Sequence, residues 1–415
     1  MLTRSEAKTQ IVGLINSHDA IIKGVKIPIR KDEKFDVYSI PIDYLVPNVI
    51  NDRLAWRIRE FEAEEGVKLS NEKEEHVEFV YGLISDEHPS ENKKTKKDLA
   101  IKGQEEYGII TNNGIIIDGN RRATLLRELF NGEATAYNKN VEEFRCFKCV
   151  VLKEDVTEDE ISSLETLVQI GKDEKVPYNP INMYIKIDNL FNLGKNYSQI
   201  SNLMQGRFTE KDIENKHKLY AFMVNYLDAI GKPDHFTLLE GLEDPFIKTN
   251  NMIDKLKSKS YAAEWDYTDE DIDDFTQTCF DYMRTKYEGK EYRSILLGGV
   301  NKNKENGVFI DEKVWKDFYE NHSNIIDAAE AKGKLNNEHD WSLLKPNFQR
   351  NLSNANSKLV DILADKNVSD LLNIIEIKIS KLEDIVDKKE DLTEANIESM
   401  KLLGSRLYKV WKQFE

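Results

Sequence analysis

Cysteine is scarce in this sequence, three in 415 residues. That is too few for a disulfide framework, and the expected setting is a reducing cytoplasm. No apolar run approaches the ~20 residues that cross a bilayer, so no membrane partner is expected. The opening MLTRSEAKTQ has no apolar stretch of the kind a signal peptide carries. Positive charge is in deficit, with 59 Lys and Arg against 75 Asp and Glu and a net charge of -16. That argues against indiscriminate nucleic-acid binding, because phosphates need a basic face; a local basic patch stays open. The seven histidines are scattered without ligand spacing, and there is no Walker-type glycine-rich loop. Cys146 and Cys149 are three apart on a strand pattern and therefore face opposite ways. With no second cysteine pair or nearby histidine, no metal site is expected.

What the chain does have is 40% hydrophobic and 32% charged residues, the balance of an ordered, helix-rich protein of two or three domains. Residues 1–34 read as an N-terminal extension with a short helix over Glu6–Ser17. From Phe35, FDVYSIPIDYLVPN reads as a strand ending in a turn at Pro47-Asn48. DRLAWRIREFEAEEG reads as a helix with Leu54, Ile58 and Phe61 on one face and Gly66 as its stop. EEHVEFVYGLI fits a second helix, and Lys93–Lys97 sits in a polar, loop-like stretch. YGIITNNGIIIDG is a hairpin signal about Asn112-Asn113-Gly114, a helix follows to about Asn131, and FRCFKCVVL is a further strand. Residues 35–157 thus form an α+β domain. Residues 158–235 read as short helices closed by glycine, with a helix-turn-helix over Tyr197 to about Tyr226. Residues 236–415 are helical throughout, the last helices spanning about Asn356–Val386 and Leu392–Phe414. The acidic run EWDYTDEDIDDF (264–275) lacks the glycine and terminal glutamate of a calcium loop and reads as a capped helix start.

The stretch IIIDGNRRATLLRELF (115–130) carries the chemistry. Arg121 and Arg122 fall in the first turn of a helix that buries Ala123, Leu126 and Leu129. The macrodipole disfavours cations there. Two readings fit. Either an anion sits between the arginines and the free backbone N–H groups, with Gly119 allowing close approach and Asn120 or Asp118 as cap, or the arginines pair with nearby carboxylates.

DGNRRATLLREL resembles the second sequence box of the ParB/sulfiredoxin-like superfamily, in which Gly-x-Arg-Arg opens a helix. IPIDYLVPNVINDRL resembles the first box, and LAIKGQEEYGIIT the segment where Gly-Gln precedes the next strand. ISSLETLVQIGKDEKVPYNPINMYIKIDNLFNLGKNYSQISNLM resembles the third box and the helix-turn-helix domain after it. The likeness covers roughly residues 35–235. It implies an α+β ParB/sulfiredoxin-like nucleotide-binding domain, then an all-α helix-turn-helix domain and a C-terminal helical domain. It implies a bound nucleoside triphosphate, ATP or CTP, with Mg2+. Gly119, Asn120, Arg121 and Arg122 would face the phosphates with Thr124 nearby, and Gln104, Asn48 and Arg53 would line the same cleft. In the third box the family's Glu-Asn-x-x-Arg is altered to Glu165 through Gln169 and Lys172, with Lys172 supplying the charge. The cysteine of sulfiredoxin's second box is absent, Asp118 and Asn120 standing in that segment.

Two functions follow as expectations. One is a DNA-associated protein of partition, regulation or phage defence that binds a nucleotide, with or without hydrolysing it. Lys211, Lys216 and Lys218 would touch DNA phosphates, Asn215 or His217 a base edge, and residues 236–415 a second copy or a protein partner. The other is an enzyme, a nuclease or kinase acting on nucleic acid or a small hydroxyl, with Asp118 as its catalytic carboxylate and Asp43 and Glu165 as further acids.

Overall fold

The computed structural model describes residues 1–30, 32–172, 180–261, 263, 265–286, 293–296, 307–364, 372, 375–376, 379, 383 and 393–412. The chain divides into two compact units, Met1–Phe246 and Ile247–Glu415.

The first unit is a mixed α+β domain continued by helices. Its strands are β1 (Ile22–Val25), β2 (Phe35–Pro41), β3 (Val46–Pro47), β4 (Gly108–Ile110), β5 (Ile115–Asp118) and β6 (Cys146–Val151). They form one sheet in the order β1-β2-β6-β4-β5-β3. β6 runs parallel to β4 and β3 parallel to β5, while the other pairs are antiparallel. The helices are α1 (Arg4–Ser17), α2 (Ala55–Glu65), α3 (Glu74–Asp86), α4 (Pro89–Lys102), α5 (Asn120–Phe130), α6 (Glu158–Lys172), α7 (Pro180–Asn192), α8 (Tyr197–Leu203) and α9 (Glu210–Ala229).

Period-two alternation splits the sheet's side chains between two cores. Ile40, Ile110, Ile116, Phe147 and Cys149 meet Ile11 of α1, Leu99 of α4 and Ala123, Leu126 and Leu129 of α5. Val37, Ile109, Ile117 and Val150 face the other way, toward Leu164 of α6. Residues 1–34 are therefore not an extension: α1 buries Ala7 and Ile11, and β1 adds an edge strand to β2. The polar stretch Lys93–Lys97 lies inside α4 rather than in a loop. Pro89 sets the first turn of that helix, and its buried residues are only Asn92, Leu99 and Ala100, so no apolar period betrays it.

The β4–β5 turn is closed by Gly114 N–H donating to the Thr111 carbonyl at 3.1 Å. Gly114 has φ 85°, and a Cβ there would lie 2.3 Å from the Tyr44 carbonyl, which fixes the residue as glycine. The chain after α6 packs into the same unit. Ile187 and Leu190 of α7, Ile200 of α8 and Ile213 of α9 share a core with Met204. Thr209 and Asp212 form a capping box at the start of α9.

In the second unit, entered within α10 (Glu243–Lys257), the helices are α11 (Asp269–Arg284), α12 (Arg293–Leu296), α13 (Glu312–Glu330), α14 (Glu338–Ser342), α15 (Lys345–Ala364) and α16 (Glu394–Trp411). Thr268 and Asp271 cap α11, as the acidic run predicts. An aromatic core of Phe275, Phe309, Trp315, Phe318, Tyr282 and Phe348 holds α11, α13 and α15 together. α16 leaves Leu403, Leu407, Tyr408, Val410 and Trp411 exposed. Most of the expected helical stretch between residues 365 and 386 lies outside the described residues. No helix among the described residues is long and apolar enough to cross a membrane.

Candidate functional site

A cleft of about 260 Å³ opens where β5 passes into α5. Asp118, Gly119, Asn120, Arg121 and Arg122 form one wall, Asn51 and Arg53 a second, and Glu87, His88, Thr95 and Glu106 the rest, over an apolar floor of Leu54, Ile84 and Ile117. The first helical turn of α5 carries no acidic residue, and Gly119 at its N-cap offers no side chain to the free N–H groups. Those groups are the ordinary anion-binding end of a helix. Gly119 holds φ 92°, and a Cβ on it would lie 2.9 Å from the Phe147 ring, so packing as well as backbone conformation demands glycine.

The paired arginines have different fates. Arg122 is satisfied internally: Nη1 donates to the Glu106 carboxylate at 2.9 Å and to its carbonyl at 3.0 Å. Nη2 lies 3.4 Å from the Asp118 carboxylate. It clamps the end of β5 to the segment entering β4, as the carboxylate-pairing reading requires. Arg121 donates through Nε to Asn92 Oδ1 at 2.6 Å, while its Nη2 is shielded from water and has no hydrogen-bond partner. Burial lowers its pKa, and Arg53 adds to that while Glu91 and Glu87 oppose it. A guanidinium held this way lacks an acceptor.

Asn92, 5% exposed, sets Arg121. Its Nδ2 donates to the carbonyls of Ile84, Ser85 and Glu87 at 3.1, 2.9 and 2.8 Å, closing the C-terminus of α3, and its Oδ1 faces Arg121.

The remaining expected site residues divide. Asn120 accepts at Oδ1 from the Asn48 backbone N–H at 3.2 Å and donates to the Ile116 carbonyl at 3.1 Å, so its amide is structural. Asn48 is buried beside it rather than in the cleft. Thr124 is buried, its hydroxyl donating to the Asn120 carbonyl at 2.9 Å. Gln104 is buried too, and its amide exchanges hydrogen bonds with the Lys148 backbone at 2.7 and 2.8 Å, completing the sheet rather than facing a ligand. The side chains of Gln169 and Lys172 lie outside the described residues. Asp118, expected as the catalytic carboxylate, is engaged with Arg122.

Behind the cleft lies a buried charge cluster that the sequence reading touched only at Glu165 and Asn48. Asn48 Nδ2 donates to Glu165 Oε1 at 2.6 Å. Asp52 meets the Lys186 ammonium at 2.6 Å, and all four residues are at most 8% exposed. Burial, then the Asp52 charge, pushes the Glu165 carboxyl up to about 8 against the pull of Lys186 and the Asn48 hydrogen bond. From α7 the Asn182 amide grips the Arg53 carbonyl on the loop that carries Asp52 and accepts from Trp56 N–H at 3.1 Å. Helices α6 and α7 are thereby tied to the loop that carries Arg53.

In the α8–α9 pair the expected DNA-contacting lysines and His217 have partners within the protein. Lys211 and Lys218 share Glu214 at 3.0 and 2.8 Å, and Lys216 lies 4.8 Å from the Phe208 ring centre. His217 sits between Tyr197 and Asp188 at 3.2 and 3.3 Å. Asn215 is exposed. Cys149 is buried, which raises its thiol pKa, and Cys146 is half-buried on the opposite face of β6. Among the described residues no group of three His, Cys, Asp or Glu is placed to hold a metal ion.

No protein-family model matches the sequence, and no curated protein matches it.

Proposed function

We propose that the first unit is a ParB/sulfiredoxin-like domain that binds the phosphate chain of a nucleoside triphosphate in the cleft at the start of α5. The observation that carries this reading is Arg121, whose Nη2 is buried without an acceptor beside an uncapped helix N-terminus. A phosphate oxygen supplies the missing acceptor once the Arg121 guanidinium turns into the cleft, and it complements the helix dipole. At about 260 Å³ the cleft suits a phosphate chain better than a whole nucleotide, since sites that enclose drug-sized ligands run to ~300–1,000 Å³. The base then rests at the rim, and Mg2+ arrives with the nucleotide.

Titration calorimetry with ATP, GTP, CTP and UTP in the presence of Mg2+ tests this. The expected result is binding of at least one nucleotide, weakened about 10–100-fold in Arg121→Ala, as loss of a charge-assisted hydrogen bond implies. Equal affinity in a folded Arg121→Ala, or no binding at all, overturns the proposal.

DNA association is the less supported half of the expectation, because α9 opens with Glu210, Asp212 and Glu214 and its lysines are engaged. The exposed apolar residues of α16 support a second copy or a protein partner on the second unit.

A further inference from the structure

Glu87 is the one cleft acid whose carboxylate makes no hydrogen bond among the described residues. It closes α3, where its backbone N–H donates to the Leu83 carbonyl at 3.1 Å and its carbonyl accepts from Asn92. Its side chain, about one-third exposed, lines the cleft across from Gly119–Arg122, with His88 Nε2 at 4.0 Å. The other two acids of the cleft, Glu106 and Asp118, are held by Arg122. A half-buried carboxylate without a donor is costly, and such costs collect where a group must exchange protons. Burial raises its pKa, while His88, Arg53, Arg57 and Arg121 pull the other way. The next residue is also unusual. His88 holds φ 53° although it is not glycine and precedes Pro89, two conditions that disfavour that backbone shape. The strained turn aims Glu87 and His88 into the same cleft that Arg121 enters.

We propose that the cleft is catalytic as well as binding, with Glu87 accepting the proton of a water that attacks the terminal phosphoryl group of the bound nucleoside triphosphate. This rests on the phosphate-binding reading above. The water oxygen forms a bond to the terminal phosphorus, and the bond from that phosphorus to the bridging oxygen breaks. The electron pair of the broken bond leaves with the nucleoside diphosphate. The proton passes to the Glu87 carboxylate and from there to solvent, and inorganic phosphate is released. Arg121 and Arg53 face the charge that gathers on the leaving oxygens. The base is thus Glu87 and not Asp118, whose carboxylate is already spent on Arg122.

The test measures phosphate release from the full-length chain with Mg2+ and each of the four nucleoside triphosphates, beside calorimetric binding. Glu87→Gln is expected to bind nucleotide within about 3-fold of the wild type and to melt no lower than it does. Its phosphate release is expected to fall about 100-fold or more, the usual contribution of a general base. Glu87→Asp is expected to recover part of that loss. The wild-type rate rises with pH along an acid limb, and this limb is absent in Glu87→Gln. Unchanged release in Glu87→Gln overturns the assignment, as does a wild type that binds nucleotide and releases no phosphate. A wild type that binds no nucleotide overturns the binding reading, and this one with it.

Discussion

At the scale of single residues, two neighbouring arginines with the same local sequence context do different work. Arg122 finds Glu106 and Asp118 within the fold, whereas Arg121 is held by one amide and keeps a nitrogen without an acceptor. Their substitutions should separate accordingly. Arg122→Ala strands two acids that share one cation, and the expected outcome is a loss of about 1–3 kcal/mol in denaturant unfolding. Arg121→Ala removes a buried, underused cation but strands the Asn92 Oδ1, so it should cost about 1 kcal/mol of stability while it weakens nucleotide binding. Lys186 is the sharper case. It is the ammonium seated between Asp52 and the α6 segment, where it also reaches Ser162 at 3.3 Å. Lys186→Met leaves two buried carboxyl groups facing one another without a cation. Equilibrium unfolding should show a loss of about 3–5 kcal/mol, the cost of breaking one partner out of a buried pair.

Elements differ in how openly the sequence announces them. The β4–β5 hairpin and α5 are legible because apolar alternation, an Asn-Gly turn and three-four spacing all agree. The order strand, glycine, helix, arginine pair is enough to locate the cleft's main wall. The opposite wall is hidden for physical reasons. α4 turns Asn92 inward where pattern reading looks for an apolar residue, so neither the helix nor its hold on Arg121 can be read from periodicity. The Asn48–Glu165 contact joins positions 117 apart in the chain, and no local signal encodes that. Glu87 and His88 reach the site through the geometry of the α3–α4 turn, and the one clue in the sequence is Pro89 behind a histidine. Asn92→Ala tests how far this hidden wall matters. It removes the amide nitrogen that bonds three carbonyls at the end of α3, and the acceptor of Arg121. A loss of about 2–3 kcal/mol is expected from the stranded carbonyls, together with weakened nucleotide binding. Asn92→Asp keeps an acceptor for Arg121 and should retain more of the binding than of the stability. Calorimetry and chemical denaturation on the same preparations separate the two effects.

At the scale of the whole molecule, the buried cluster of Glu165, Asp52, Lys186 and Asn48 makes stability depend on pH in an unusual direction. A carboxyl raised in the folded state to about 8 binds a proton that the unfolded chain, at its ordinary value near 4.5, has already released. The folded form therefore holds more protons between those values, and this group's contribution to stability falls as pH rises from about 4.5 to about 8. Melting temperatures measured across that window should decline more steeply for the wild type than for Glu165→Gln. The same proton alters the charge of the molecule. The -16 counted from the sequence takes every carboxylate as ionised, whereas the Glu165 carboxyl, raised by burial and the Asp52 charge, holds on to its proton toward neutral pH in the folded chain. Unfolding then releases a proton into the buffer, so the heat absorbed on melting should change with the buffer's own ionisation enthalpy, and that dependence should disappear when Glu165 is replaced by glutamine.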